Sequence, residues 1–204
     1  MKGAPADLAA LIGSRICHDI ISPIGAINNG LELMQMTLGS EGPEAALIRQ
    51  SCAAAEARVA FFRMAYGAAG DTQAIGPDEV RALLDRLAAT GMRQRIDWQH
   101  EEPVPRSEVQ LAFLGLQCME TALPTGGAVA VARRSGRWAF EVTEGAPRFE
   151  GAHWQALFTD GSTDETAPTL RPEHVQFALL PVLLAGHDRR PEVTGGADRP
   201  TLVI

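Results

Sequence analysis

The residues best suited to chemistry lie together in Arg15-Ile16-Cys17-His18-Asp19-Ile20-Ile21-Ser22-Pro23. An imidazole next to a carboxylate is the pairing of a nucleophile or general base, because the acid fixes the ring tautomer and supports its basicity. The elements that must position this pair are helical. At about 100° per residue, Leu8, Ile12, Ile16, Ile20, Ile24, Ile27, Leu31, Met34 and Leu38 fall on one apolar stripe. His18 projects roughly opposite the centre of that stripe. Ser14, Arg15, Ser22, Gly25 and Asn29 share the outer face, all of them small or polar, so His18 is expected to meet water or a partner. Pro23 sits inside the helical pattern, removes one backbone donor and presses on the carbonyl of Asp19. The kink shapes the helix beside the histidine.

His-Asp-x-x-x-Pro resembles the H-box of two-component histidine kinases, carried on the first helix of a dimerisation and phosphotransfer hairpin. The longer run His18-Asp-Ile-Ile-Ser-Pro-Ile-Gly-Ala-Ile-Asn-Asn-Gly-Leu-Glu-Leu33 is similar to the ChpT-type histidine phosphotransferases of alphaproteobacteria. Without its neighbours His18 reads as an ordinary surface histidine. The adjacent acid, the proline, the outward phase and the Gly-Ala-Ile-Asn-Asn-Gly run tip the reading towards chemistry.

Bulk properties narrow the rest. The chain is acidic, with a formal net charge of −7, and no Lys/Arg block forms a stripe, so nucleic acid is not an expected partner. Lys2 is the single lysine. Cys17, Cys52 and Cys118 are far apart and match no metal spacing, which reads as small buried thiols in a reducing compartment. The N-terminus has no signal-peptide pattern, and no apolar run approaches the roughly 20 residues of a membrane span. A cytoplasmic protein without membrane contact is expected.

In chain order, a first helix covers about residues 5–38, the Gly39–Pro43 break follows, and a second helix covers about 43–67. On the second helix Ile48, Cys52, Ala55, Val59, Phe62 and Tyr66 recur on one face, with Leu47, Ser51, Ala54, Arg58 and Phe61 alongside. Two long helices with a short connection form an antiparallel hairpin whose apolar stripe is too wide to bury alone. Pairing with a second copy gives a four-helix bundle; packing on the rest of the chain is the alternative. The resemblance implies that residues 1–68 are a dimerisation and phosphotransfer hairpin, and Gly67–Gly76 reads as a small-residue linker.

Residues 77–204 read as an α+β domain with helices on one face of a small, mostly antiparallel sheet. Its expected elements are helices over 78–90, 107–123, 150–158 and 172–185, strands over 95–100, 128–133 and 137–143, and a terminal hairpin of 192–194 with 201–204. The turn-rich stretch 159–171 is expected as a loop. This order is similar to the ATP-binding domain of sensor kinases, but the nucleotide motifs depart. Cys118 stands where the resemblance expects the magnesium-binding asparagine, and a thiol suits magnesium poorly. Val142-Thr143-Glu144-Gly145-Ala146-Pro147 lacks the aspartate and second glycine of the adenine motif. The lid region offers only Gly161, beside Asp160, Asp164 and Glu165, whose charges repel a triphosphate. No cofactor, metal or ATP binding is therefore expected of this chain.

The resemblance implies a phosphotransferase. His18 accepts a phosphoryl group from a receiver aspartate and yields it to another, the receiver bringing Mg2+. Asp19 orients the ring or acts as base. Ser14, Arg15, Ser22, Gly25 and Asn29 form the docking face, although Arg15 and Asn29 read equally well as plain solvated surface. The implied partners are a second copy and the receiver domains of a hybrid histidine kinase and of response regulators. Two other readings stand beside it: an ATP-dependent histidine kinase with diverged motifs, and a non-catalytic dimeric adaptor. A metal site built on His18 and Asp19 is disfavoured because adjacent helical residues diverge by about 100°. His100, His153, His174 and His187 show no constellation in the sequence.

Overall fold

A computed structural model describes residues 16, 19–20, 23–27, 29–30, 33, 43–67, 73–158, 171–196 and 199–204. The described residues between 16 and 33 are helical, Pro23 included, and make up helix α1. Helix α2 runs Pro43–Tyr66, with Pro43 in its first turn and Glu44 favouring the positive end of the dipole. The two helices touch closely at Gly30. A β-carbon there would stand 2.5 Å from Ile48 Cγ1 and 3.3 Å from the Glu44 carbonyl oxygen, so glycine sets how near α1 can approach α2.

Beyond α2 the chain forms β1 (Ala74–Ile75), α3 (Pro77–Ala89), β2 (Gln94–Trp98), β3 (Val104–Pro105), α4 (Arg106–Ala122), β4 (Gly127–Arg134), β5 (Arg137–Glu144) and α5 (Ala152–Phe158). A 3-10 turn over Pro172–His174 leads into α6 (Gln176–Ala185), and β6 (Glu192–Thr194) and β7 (Thr201–Val203) complete the described chain. These elements match the expected helices and strands to within a residue or two at most ends. The loop expected over 159–171 lies, up to Leu170, outside the described residues, as does the start of the first helix.

The main sheet has the order β2-β4-β5-β7-β6. β2 pairs with β4 in parallel and every other pairing is antiparallel. The parallel pair needs a crossover, and α4 supplies it. β4 and β5 are joined by Ser135 and Gly136, at φ 49° and 79°, the left-handed geometry of a two-residue hairpin whose twist suits the flanking strands. One correction to the sequence reading concerns the linker. Ala74–Ile75 is a strand, paired antiparallel with Val104–Pro105, and Ile75 is buried. The segment after residue 72 is therefore pinned to the second half of the molecule.

One hydrophobic core unites Val129, Val131, Trp138, Phe140, Val142, Leu202 and Ile204 of the sheet region with α3, α4, α5 and α6. Helix α4 is buried almost all round. It lies so close to the sheet that a β-carbon on Gly115 would stand 2.7 Å from Phe140 Cε2 and 3.1 Å from Ile204 Cδ1. Ala57, Phe61, Phe62 and Ala65 of α2 belong to the same core, and Ile16 of α1 packs against it. The buried face of α2 is thus turned towards α4. Val59, on the recurring face read from the sequence, is 47% exposed, and Ile24 of the α1 stripe is 46% exposed.

Candidate functional site

His18, the residue on which the sequence reading turns, lies outside the described residues, together with Ser14, Arg15 and Ser22. The structure does place Asp19, Gly25 and Asn29 on α1. Asp19 is half-buried on the same helix as Pro23, one residue after His18 in the chain. Gly25 has nothing within 4 Å of where a β-carbon would point, and Asn29 is exposed. At these two positions α1 is open, whereas Gly30, one residue on, is pressed against α2. The two glycines of the Gly-Ala-Ile-Asn-Asn-Gly run therefore do opposite things: one leaves surface free and the other lets two helices meet.

The resemblance sets Cys118 and Glu144 at nucleotide-motif positions of sensor kinases. Cys118 is completely buried in α4, and burial pushes its thiol well above the ordinary cysteine range, so it is a neutral core residue. Glu144, at the end of β5, accepts from Arg95 Nη2 of β2 at 2.6 Å, an exposed pair that spans β4. Cys52 is a free thiol on α2. Among the described residues no three His, Cys, Asp or Glu side chains come together as a metal site. No described helix is long and apolar enough to cross a membrane.

Two groupings were not legible in the sequence. His153 and His174 do meet: their rings stack at 4.3 Å and 26°, edge-on to Phe177, and tie α5 to the 3-10 turn. Burial and the nearby Arg171 charge hold His153 below the usual histidine range, which suits a neutral packing role. The second grouping surrounds Glu108. Its carboxylate accepts from Arg189 Nη1 and Nη2 at 3.1 and 2.7 Å and from Trp138 Nε1 at 3.1 Å, and Arg133 Nη2 lies 3.4 Å away. Four segments are fastened at one buried carboxylate in the first turn of α4, where the helix dipole also favours negative charge.

Comparison with known proteins agrees with this architecture. Residues 77–190, more than half the chain, match the family model described as the histidine phosphotransferase C-terminal domain. The protein phosphotransferase ChpT of Brucella abortus (strain 2308) is 40% identical over 134 residues, which is 61% of this chain and 60% of that protein. The match thus spans less than two thirds of the relative's length. A bacterial phosphotransferase of known structure superposes with a TM-score of 0.76 at 29% identity, covering 97% of this chain and 95% of the other. The chain belongs to the histidine phosphotransferase family, of the ChpT type that its His-Asp run resembles.

Proposed function

We propose that this protein is a phosphoryl carrier in a two-component phosphorelay, working through His18. One observation carries the reading: a His-Asp-x-x-x-Pro run in the sequence, whose Asp19 and Pro23 lie on α1 ahead of the open positions Gly25 and Asn29, in a chain whose second half matches the family's C-terminal domain. A receiver domain bearing an aspartyl phosphate docks on that face and brings the magnesium ion with it. One imidazole nitrogen of His18 attacks the phosphorus in line, the bond to the aspartyl oxygen breaks, and the carboxylate leaves. The second transfer runs the same step in reverse towards another receiver. Such transfers depend on alignment and charge neutralisation more than on covalent assistance. Asp19 orients the ring or takes its proton. Arg15 faces the phosphoryl oxygens or the receiver's acidic pocket. Ser14, Ser22, Gly25 and Asn29 form the surface on which the receiver rests.

The division of labour follows. Residues 1–68 carry the chemistry and the contacts of a homodimer, and residues 77–204 form a domain that has no nucleotide to deliver. The neutral, sealed Cys118 and the Arg95–Glu144 pair support that second statement. The partners are the receiver domains of a hybrid kinase and of response regulators, in the cytoplasm.

The test is direct. Mixed with a receiver phosphorylated on aspartate, the wild-type chain should acquire label that is acid-labile and base-stable, and His18→Ala should acquire none. Labelling of the isolated chain from ATP would establish the kinase reading instead. Equal partner responses from wild type and His18→Ala would establish the adaptor.

A further inference from the structure

The last carbonyls of an α-helix have no partner within the helix. At the end of α2 the Arg63 carbonyl accepts from the Gly67 N–H at 3.2 Å, and α4 supplies the further donors. Arg106 Nη2 donates to the Arg63 carbonyl at 2.6 Å and Nη1 to that of Gly67 at 3.4 Å. Gln110 Nε2 donates to the carbonyls of Ala65 and Gly67 at 3.0 and 3.1 Å. These contacts bridge 39 to 45 positions of sequence, across the small-residue linker. Gly67 leaves no room for change. A β-carbon on it would strike the Arg63 carbonyl oxygen and stand 3.0 Å from Arg106 Nη2. Further along the same seam Phe61 packs on Phe113 at 5.0 Å, the Tyr66 hydroxyl donates to Gln117 Oε1, and Arg58 faces Glu120 at 3.7 Å.

We propose that this seam is a fixed joint. Arg106 and Gln110 act as positioning residues that hold the hairpin carrying His18 at one angle to the second domain. A linker of small residues alone leaves two domains free to reorient. Here about three turns of α2 share the core of the second domain, and the loose end of the helix is fastened by two side chains, one of them a guanidinium. Gln110 is nine-tenths buried and spends its amide on two carbonyls, an arrangement that a reorienting domain would break at full desolvation cost. The contribution to phosphotransfer rests on the functional reading above: a partner docking on a pre-set frame spends no binding energy on ordering it.

The experiment uses the full chain with Cys17 and Cys52 changed to serine and the buried Cys118 kept. Spin labels go at Gln50 on α2 and Thr143 on β5, and labelled chain is diluted with unlabelled chain so that only distances within one chain are read. Wild type should give one narrow distance. The double variant Arg106→Met/Gln110→Met keeps the stems and loses the donors. It should stay folded by circular dichroism, show a broadened distance distribution, and transfer phosphate from a labelled receiver with kcat/KM lower by roughly tenfold, mostly through KM. Gly67→Ala displaces Arg106 from the other side and should broaden the distribution in the same way, and Arg106→Lys should restore part of the narrowness. A broad distance in wild type, an unbroadened one in both variants, or broadening with unchanged kcat/KM would each overturn the proposal. Absence of any label on the wild-type chain would instead sink the phosphotransfer reading, leaving the joint to be judged on distances alone.

Discussion

At the scale of single residues, α1 shows that residue type underdetermines role. Gly25 and Gly30 look interchangeable in the sequence and have opposite surroundings. Gly25→Ala adds a methyl group to open space and removes the helix penalty of glycine, so it should stabilise the chain by about 0.5–1 kcal/mol. Gly30→Ala gains the same propensity but drives its methyl into Ile48 Cγ1 and the Glu44 carbonyl. The overpacking cost of about 1–3 kcal/mol exceeds the gain, so net destabilisation should appear as a lower urea midpoint. The same surroundings separate stability from function. Gly25→Trp should leave the unfolding free energy in urea within about 0.5 kcal/mol of wild type and yet block label transfer from a receiver, because the bulk lands on the proposed docking face. If Gly25→Trp transfers normally, that face is not where the partner sits.

At the scale of elements, α4 is the member to which the others are fixed, and Glu108 is its anchor. Burial alone would raise the Glu108 pKa; the Arg189 hydrogen bonds, with the charges of Arg133, Arg189 and His187, overcome it and hold the carboxyl below its usual range. A carboxyl depressed in the folded state stabilises above its unfolded pKa of about 4.3 and loses that contribution as pH falls through the folded value. Stability of the wild type should therefore fall as pH drops below about 4.3, and Glu108→Gln should flatten that limb of the curve. At neutral pH the same variant leaves two half-buried guanidinium groups short of a counter-charge, at a cost of about 2–4 kcal/mol by chemical denaturation. An unchanged acid limb would mean that other carboxylates control it. Nothing in the sequence singled out Glu108, since a lone acid in an apolar helix carries no mark of its distant partners, Arg133, Trp138 and Arg189. The helices and the β4–β5 hairpin were legible because their signals are local: a period of 3.6, a period of two, a proline in a first turn, Gly136 in a tight turn. The two-residue pairing of β1 with β3 was not, because two residues show no period. The seat of α2 on α4 was hidden for a different reason, as both helices present more than one apolar face and the sequence does not say which face meets which neighbour. The candidate site was read as chemistry, from the types and spacing of His18, Asp19 and Pro23; of these the structure describes Asp19 and Pro23.

At the scale of the whole molecule, α2 must serve two neighbours. Ala57, Phe61, Phe62 and Ala65 are spent on the second domain. Ile24 and Val59 lie on the apolar stripes of the hairpin yet remain 46% and 47% exposed in the single chain. Burying a large aliphatic side chain completely is worth about 1.5–3 kcal/mol, and a hairpin that has already given one face to the core can cover another against a second molecule. The proposed homodimer uses that remaining face, which sets apart the seam between copies from the joint within each chain. Association of folded chains makes stability depend on concentration. The wild-type chain should therefore sediment as a dimer, and its Tm should rise as the protein is concentrated. Ile24→Glu/Val59→Glu should sediment as a monomer, keep its helical circular dichroism through the α2–α4 core, and melt at a temperature independent of concentration. If the wild type sediments as a monomer at high concentration, these two side chains are simply solvated, and the hairpin completes its packing within one chain.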